Sequence, residues 1–277
     1  MNQDVENFLA SSPFAETTKD GYRRVLSRLV ELDLNQLDAA GLLGFVNKPS
    51  WDLNQRYTAL CCCRRFIAWL LGGNHSALSA RVKRSTVSPQ PRLSEEQVLE
   101  VFVSFDLSAV DGRRDMAIAC VALDCNLRAT ELCNLELGNV YLDRCLLFAK
   151  VKGGQWKWKT FSVETADYIR LWLEVREPAL GVQTLFISYQ HQRMGMSMKR
   201  EGLQHIMEQW GKRVGFHISP HMWRRSYATI SHLNGMPKNL LKLGGGWKDD
   251  KTVDHYIGDL ELEATRAYLP VKKIAGR

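Results

Sequence analysis

The 277-residue sequence has no apolar run approaching eighteen residues and no signal-peptide pattern, because residues 1–7 are polar and mixed in charge. Internal repeats and low-complexity tracts are also absent. With 45% hydrophobic and 24% charged residues, the composition is that of a globular chain with room for one large domain or two ordinary ones. We therefore expect a cytoplasmic, or at least intracellular, protein with no membrane partner.

Cysteine pairs of the CxxC type are missing, although the chain contains seven cysteines. Cys61, Cys62 and Cys63 are consecutive, so they cannot easily form disulfides with one another, and they lack the spaced partners that a zinc site needs. A reducing compartment is the better interpretation, and we expect no metal at these thiols.

Acidic residues are outnumbered, with 30 Asp and Glu against 37 Lys and Arg, which gives a formal net charge of +7 and favours a polyanionic partner. The imbalance is sharpest in "SARVKRSTVSPQPR", which has no acidic residue and whose two prolines favour an extended chain. Its basic residues are Arg81, Lys83, Arg84 and Arg92. Such a tether suits a protein that wraps around DNA, although an ordinary linker could have the same composition.

The periodicity predicts a helical first domain at residues 1–73, the basic linker at 74–92 and a second domain at 93–277. Ser94 and Gln97 are spaced as a capping box for the first helix of the second domain. In the first domain Thr17 and Thr18 are candidate caps of one helix, and a second helix follows Ser50 and stops at Gly72. Three basic residues of the second helix lie off its apolar stripe and form either a solvated face or a phosphate-facing one: Arg56, Arg64 and Arg65.

The second domain contains a succession of polar residues at unusual places. Arg128 falls at a break between two apolar segments, where it either caps a helix or points into a cleft. A hairpin is predicted from strand-like residues 146–151, the turn Gly153–Gly154 and a return strand over 156–163. Lys152 stands at its mouth, either as a solvated turn residue or as an ammonium group presented to a phosphate.

Two further motifs follow. In "SPHMWRR", His221 and Arg224 are three residues apart at the start of a helix, so they face the same way and can share one anion. In "LKLGGGWKDDKTVDHYIGDL", three glycines precede Trp247, and Tyr256 stands nine residues beyond it. An HxxR motif alone is common by chance, whereas this ordered set is not.

The ordered set resembles the tyrosine recombinases of the phage-integrase family, over nearly the whole chain. Arg128 in "NLRATEL" matches the arginine box, and Trp247 stands where most members have histidine, as in the Cre recombinase. The other family positions are matched by the hairpin Lys152, His221 and Arg224 of HxxR, and the nucleophile Tyr256. Two departures are Arg225, where many members have a second histidine, and "KGGQWKWK" in place of the usual "KGxKxR". The second departure leaves Lys157 and Lys150 as alternatives to Lys152.

The resemblance implies a mainly α protein with a small β-sheet in its catalytic domain, folded as a two-domain, C-shaped clamp on DNA. Tyr256 would form a 3′-phosphotyrosyl link while Lys152 protonates the leaving 5′ oxygen, and Glu131 would orient the basic groups. The phosphate would be stabilised by Arg128, His221, Arg224 and Trp247. No metal or other cofactor is implied.

The implied partner is double-stranded DNA at a specific recombination site, with a homo-tetramer on synapsed DNA and accessory DNA-bending proteins. The biology could be integration, excision or resolution of a mobile element. Expected DNA contacts are Arg56, Arg64, Arg65, Arg81, Lys83 and Arg84. Residues 260–269 could form a tail helix that packs on its own domain or docks on a neighbouring protomer. Two other functions remain open, a type IB topoisomerase and a DNA-binding protein that keeps this fold without turnover.

Overall fold

The structure is a computed structural model that describes residues 3–83, 91–247, 249–251, 253, 254 and 257. The chain divides into two compact units, Met1–Gln90 and Pro91–Arg277. In the described part, no helix is long and apolar enough to cross a membrane.

The first unit is helical, with α1 (Gln3–Ser11), α2 (Glu16–Leu29), α3 (Ala39–Val46), α4 (Leu53–Leu71) and a short 3-10 helix (Ser76–Ser79). The predicted second helix is confirmed as α4, which Asp52 and Gln55 cap reciprocally and which ends at Gly72 with a φ of 89°. The predicted capping by Thr17 or Thr18 is wrong. Ala15 occupies the cap position of α2, and both threonines lie inside its first turn.

An aromatic cluster fills the core of the first unit. The Phe8 ring lies 5.5 Å from that of Phe66 and also contacts Phe14, Tyr22 and Trp69. Cys62 and Cys63 are buried in the same core, and burial raises the pKa of the Cys63 thiol to about 12. All seven cysteines are free thiols. Cys62 and Cys63 are therefore apolar core residues.

Part of the segment assigned to the linker packs in the first unit. Ala77 in the 3-10 helix and Ala80 just after it are buried in the core that α3 and α4 share. Three or four residues are too few to show a helical stripe, so the sequence pattern carried no signal there. Arg81 and Lys83 follow at the surface.

The second unit combines helices with one small sheet. Its elements are α5 (Glu95–Val103), α6 (Val110–Cys125), α7 (Ala129–Cys133), β1 (Val140–Tyr141), β2 (Leu146–Lys150), β3 (Trp156–Thr160), α8 (Val163–Leu173), α9 (Arg200–Val214), α10 (Pro220–Leu233) and α11 (Lys238–Gly245). Ser94 and Gln97 form the predicted capping box at the start of α5. The expectation of a mainly α fold with a small β-sheet is confirmed.

The sheet is antiparallel, in the order β1-β2-β3, with Phe148 opposite Trp158. Its return strand is shorter than predicted and ends at Thr160, because Ser162 accepts a hydrogen bond from the Thr165 backbone nitrogen and caps α8. Side chains on one face form a continuous aromatic row with centroid spacings of 5.4, 4.7 and 5.1 Å. In order, the row is Tyr141, Trp158, Phe148 and Trp156.

Helix α6 forms the centre of the second unit and leads directly into the candidate site. It packs against α8 and α10, and most of its residues, including both polar and apolar ones, are buried. Asn126 ends it in the left-handed region, with a φ of 51°, which Asn tolerates better than most residues. This turn places Arg128 immediately before α7.

Candidate active site

Arg128 is fixed by the helix that follows it. Its backbone nitrogen donates a 2.8 Å hydrogen bond to one oxygen of Glu131, and its Nη1 donates to the other oxygen, also at 2.8 Å. The Glu131 side chain is 5% exposed, whereas that of Arg128 is 44% exposed. The buried carboxylate therefore orients a guanidinium group that still faces solvent.

Glu131 also binds the hairpin. The backbone nitrogen of Lys152 donates a 3.0 Å hydrogen bond to Glu131 Oε1. Burial alone would raise the pKa of Glu131, but the hydrogen bonds from Arg128 and Lys152 outweigh it, so the pKa lies below its ordinary value. The carboxylate is thus ionised at neutral pH, and the exposed side chain of Lys152 starts from a backbone position tied to Arg128.

His221 and Arg224 stand on the first turns of α10, which begins at Pro220. Arg224 is 4% exposed, and its guanidinium donates to the backbone oxygens of Asn126 and Gly245, the latter at 3.2 Å. Partial burial, followed by the charges of Arg225, Arg224 and Arg128, lowers the pKa of His221. The imidazole is accordingly neutral at neutral pH and lies in a strongly positive field.

Gly244 and Gly245 make close contacts that leave no room for a side chain. A Cβ on Gly244 would lie 2.1 Å from the Tyr227 hydroxyl, and one on Gly245 would lie 2.3 Å from the Trp247 ring. Gly246 ends α11 with a φ of 67°. We call residues 244–246 the glycine corner.

Trp247 follows the glycine corner and lies beside Arg224. The Arg224 Cζ atom is 5.8 Å from the centroid of the Trp247 ring, within the range of a cation–π contact. Tyr227 is packed behind, 7% exposed, with its ring 6.3 Å from that of Trp247. Burial raises the pKa of Tyr227 to about 12, which makes its phenol a poor nucleophile.

Arg128, His221 and Arg224 line one cleft of about 440 Å³. Arg200, Gln204 and His217, which were not predicted from the sequence, are among the other residues that line it. Arg200 and Gln204 are four apart on α9, so they share a face of that helix. Nothing in the sequence indicated which face of α9 would turn towards the HxxR motif.

Lys159 is a further residue near the site that was not predicted from the sequence. It lies on β3, is only 5% exposed, and its Nζ donates a 2.5 Å hydrogen bond to the Gly244 backbone oxygen. Alternation along β3 places Lys157 and Lys159 on the inner face and Trp156 and Trp158 outside. This is the reverse of the usual arrangement of apolar residues inside and polar residues outside.

The remaining predicted residues lie either in the first unit or outside the described residues. Arg56 donates to Asn47, Lys48 and Trp51, and Arg65 donates to Tyr22, all within the first unit. The Nε of Arg64 is buried without a hydrogen-bond partner among the described residues. Tyr256, Arg84 and the tail at 260–277 lie outside the described residues. Their roles, and the DNA contacts of all six basic residues, stay predictions.

The described residues contain no group of three or more His, Cys, Asp or Glu side chains suited to hold a metal ion. The cleft is lined by cations and neutral donors, with Glu131 behind Arg128. Such a lining favours an anionic ligand.

Comparison with known proteins assigns the family. Residues 91–262 match the phage integrase family, and the chain belongs to it. The tyrosine recombinase XerD of Vibrio cholerae is 29% identical, over 96% of this chain and 91% of the relative. XerD of Neisseria meningitidis serogroup A is 24% identical, over 94% and 89%. The predicted family resemblance is confirmed.

A solved structure extends the comparison to the fold. The Tn1549 transposon integrase, in complex with transposon right-end DNA, superposes with a TM-score of 0.73 at 12% identity, covering 96% of this chain and 98% of that one. At such low identity the match concerns the fold alone. It agrees with the mainly α architecture described above.

Proposed function

We propose that this chain is a site-specific tyrosine recombinase, which cuts and rejoins DNA strands through a covalent 3′-phosphotyrosyl intermediate. The observation that carries the proposal is the convergence of Arg128, His221 and Arg224 on one cleft, with Glu131 orienting Arg128. Both guanidinium groups stay charged at any working pH and offer planar pairs of donors to a phosphate.

In the proposed reaction, the phenolate oxygen of Tyr256 attacks the phosphorus and the bond to the 5′ oxygen breaks. Negative charge grows on the nonbridging oxygens, which Arg128, Arg224 and a His221 N–H stabilise. Fixed donors of this kind contribute about 2.7–4 kcal/mol each. Lys152 gives its proton to the leaving 5′ oxygen. Attack by a 5′ hydroxyl of the partner strand then reverses these steps and restores the free tyrosine.

Trp247 is the proposed fourth donor, through its indole N–H. Because an indole N–H donates a hydrogen bond but does not ionise at neutral pH, Trp247 would bind the phosphate and take no part in proton transfer. Its contact with Arg224 supports this assignment, since both side chains must approach the same phosphate.

Tyr256 is the proposed nucleophile. An unperturbed tyrosine has a pKa of about 10, so neighbouring cations must stabilise its anion. The next residue, Ile257, packs in a small buried cluster with Tyr227, Leu241 and Val253, close to the glycine corner. This position of Ile257 supports placing the nucleophile beside Trp247, and the high pKa of Tyr227 argues against the other nearby phenol.

The proposed partner is duplex DNA at a specific site inside the cell. Arg200, in the cleft, and the basic residues at 81–84 would contact backbone phosphates, which position the protein without reading sequence. We also propose a tetramer on two synapsed sites, assisted by DNA-bending proteins. Deleting residues 260–277 should then abolish the tetrameric complex while single-site binding persists. Unfolding of the truncated protein would instead assign the tail to its own domain.

The test is covalent trapping. A pool of nicked duplexes with a randomised core is incubated with the protein, and the strands that stay linked under denaturing conditions are sequenced. Tyr256→Phe should bind the selected duplex normally but form no adduct, whereas Tyr268→Phe, the matched control, should form it at the wild-type level. An adduct that survives in Tyr256→Phe would move the nucleophile elsewhere.

The same assay separates the two other functions. No adduct with any duplex, despite tight binding, would indicate a DNA-binding protein without turnover. An adduct accompanied by relaxation of a supercoiled plasmid, without exchange between two copies of the selected site, would indicate a topoisomerase.

A further inference from the structure

A buried lysine connects the sheet to the glycine corner. The Lys159 ammonium donates to the Gly244 backbone oxygen, and a Cβ on Gly246 would lie 3.2 Å from its Nζ. The intervening carbonyl, that of Gly245, accepts 3.2 and 3.3 Å hydrogen bonds from Arg224 Nη2 and Asn126 Nδ2. Lys159 and Arg224 therefore bind consecutive carbonyls of one turn.

Burying an ammonium group at this position costs free energy, because the charge loses its hydration. Burial, and then the charge of Arg224, lower the pKa of Lys159 to about 8, and Lys157 acts in the same direction. Glu131 on α7 opposes the shift. The Cys125 thiol at the end of α6 also lies nearby, but burial raises its pKa well above the ordinary value and keeps it uncharged. A methionine would fill the same space without the cost of desolvating a charge. Packing alone thus does not account for a lysine here.

We propose that Lys159 is a positioning residue that fixes the glycine corner, and through it Trp247 and Arg224, in the geometry needed for DNA cleavage. The inference rests on the proposed function and extends it to a residue that is not among those matched to the family's catalytic positions. Lys159 is too buried to reach a DNA backbone, so its effect must pass through the corner.

The position of the corner decides where two phosphate-binding groups lie. Gly245 supplies a carbonyl that holds the Arg224 guanidinium, and Trp247 directly follows the corner. A displacement of about 1 Å in a catalytic group can reduce a rate on the order of 100-fold. Loss of the Lys159 hydrogen bond should accordingly slow cleavage without weakening DNA binding.

Protonation of Lys159 gives a second readout. As the pH rises through about 8, the ammonium loses its proton, and its charge-assisted hydrogen bond to Gly244 becomes a weaker neutral one. The cleavage rate of the wild-type protein should therefore fall as the pH rises above about 8, which gives its pH profile an alkaline limb. An arginine at position 159 stays charged and should remove the limb.

The experiment uses the full chain and the duplex selected by covalent trapping with the wild-type protein. Single-turnover adduct formation and duplex affinity are measured from about pH 7 to about pH 9, which brackets the lysine pKa. Lys159→Met should lower the cleavage rate constant on the order of 100-fold at pH 7, with duplex affinity within about twofold of wild type. Lys212→Met, at an exposed position in the last turn of α9, is the matched control and should match wild type in both measurements.

Lys159→Arg keeps the test decisive even if the methionine variant folds poorly. Its rate relative to wild type should rise with pH above about 8, because only the wild-type side chain becomes neutral. An unchanged cleavage rate in Lys159→Met, or a constant ratio between Lys159→Arg and wild type across this pH range, would overturn the proposal. Absence of any wild-type adduct would overturn the proposed function instead, so the two failures are distinct.

Discussion

The carboxylate of Glu131 accepts a 3.0 Å hydrogen bond from the backbone nitrogen of Lys152, which lies in the hairpin turn after β2. The same carboxylate binds the backbone and the guanidinium of Arg128. One buried acid therefore fixes the relative positions of Arg128, the proposed phosphate-binding residue, and of the backbone that carries Lys152, the proposed proton donor. Because its side chain is 5% exposed and is bound to Arg128, we assign Glu131 as a positioning residue.

We expect Glu131→Gln to slow cleavage on the order of 100-fold while changing duplex affinity little, because the amide can accept from only one side and leaves Arg128 misplaced. Single-turnover adduct formation measures the first effect and duplex titration the second. Glu164→Gln, an exposed acid in the first turn of α8, is the control and should leave both unchanged. Equal cleavage by the two variants would remove Glu131 from the site's machinery.

The Glu131 carboxylate also predicts a loss of stability at acidic pH. Its folded-state pKa is depressed, so its contribution is fully present above the unfolded value of about 4.5 and is lost as the pH falls through the folded value. The unfolding free energy of the wild type should therefore drop more steeply than that of Glu131→Gln below about pH 4.5. Urea unfolding at a series of acidic pH values tests this, and parallel curves would contradict it.

The close approach of Gly244 to Tyr227 predicts that a substitution at Tyr227 can rescue one at Gly244. Gly244→Ala should destabilise the second unit by about 1–3 kcal/mol, because the new methyl group meets the Tyr227 hydroxyl at 2.1 Å. Adding Tyr227→Phe removes that hydroxyl and should restore part of the loss, which a double-mutant cycle of unfolding free energies would measure. Gly202→Ala on α9 has its nearest contact at 3.9 Å and should be neutral or stabilising. Strictly additive effects of the first two substitutions would contradict the contact.

Replacing Lys159 by methionine should raise the stability of the protein while it lowers the cleavage rate. The pKa of Lys159 falls from 10.5 to about 8, so between these values the unfolded chain binds more protons and the stability of the wild type rises with pH. At pH 7, removal of the buried charge should make Lys159→Met more stable than wild type by on the order of 1–3 kcal/mol. Loss of the hydrogen bond to Gly244 should offset about 1 kcal/mol of this gain. The advantage should shrink as the pH rises through about 8. Unfolding free energies of Lys159→Met and wild type, compared at pH 7 and above about pH 8, measure this advantage. A large destabilisation of Lys159→Met at pH 7 would contradict the prediction.

The basic segment predicts a change in salt dependence. Arg81 donates to the backbone oxygens of Leu78 and Ala80, whereas no hydrogen bond ties the exposed Lys83 to the described residues. Replacing Arg81, Lys83 and Arg84 by glutamine should reduce the slope of log affinity against log salt by up to about 0.9 per lost phosphate contact. Arg170→Gln is the control, because that guanidinium is already paired with Asp143 and Asp167. A slope as steep as wild type would exclude contact between this segment and the backbone.

Local rules were sufficient to predict several elements of the fold. The reciprocal cap at Ser94 and Gln97 and the helix stop at Gly72 follow from interactions within four residues, and both were found. The cap of α2 was missed because Ala15 has no side-chain acceptor, so the sequence favoured the nearest threonines. The chain turns there without the residue type that usually marks such a turn.

The site was predictable where family spacing or helix geometry determined it, as for His221 and Arg224. Lys159 was not, because a strand pattern of alternating Trp and Lys predicts its two faces but not which one meets the core. Here the core side is occupied by Arg224 and the glycine corner, contacts that are distant in sequence. Arg200 was missed for a similar reason, since the orientation of α9 depends on tertiary packing.

The aromatic row on the outer face of the sheet gives the second unit an intrinsic optical probe. Trp156 and Trp158 are 46% and 55% exposed, whereas three other indoles of this unit, Trp172, Trp210 and Trp223, are fully buried. Exposed indoles emit at longer wavelength and are quenched by iodide, while buried ones are shielded. Any ligand that covers the hairpin should therefore shift the emission to the blue and protect it from the quencher, so encounters at this edge of the site can be timed by stopped-flow fluorescence without a label.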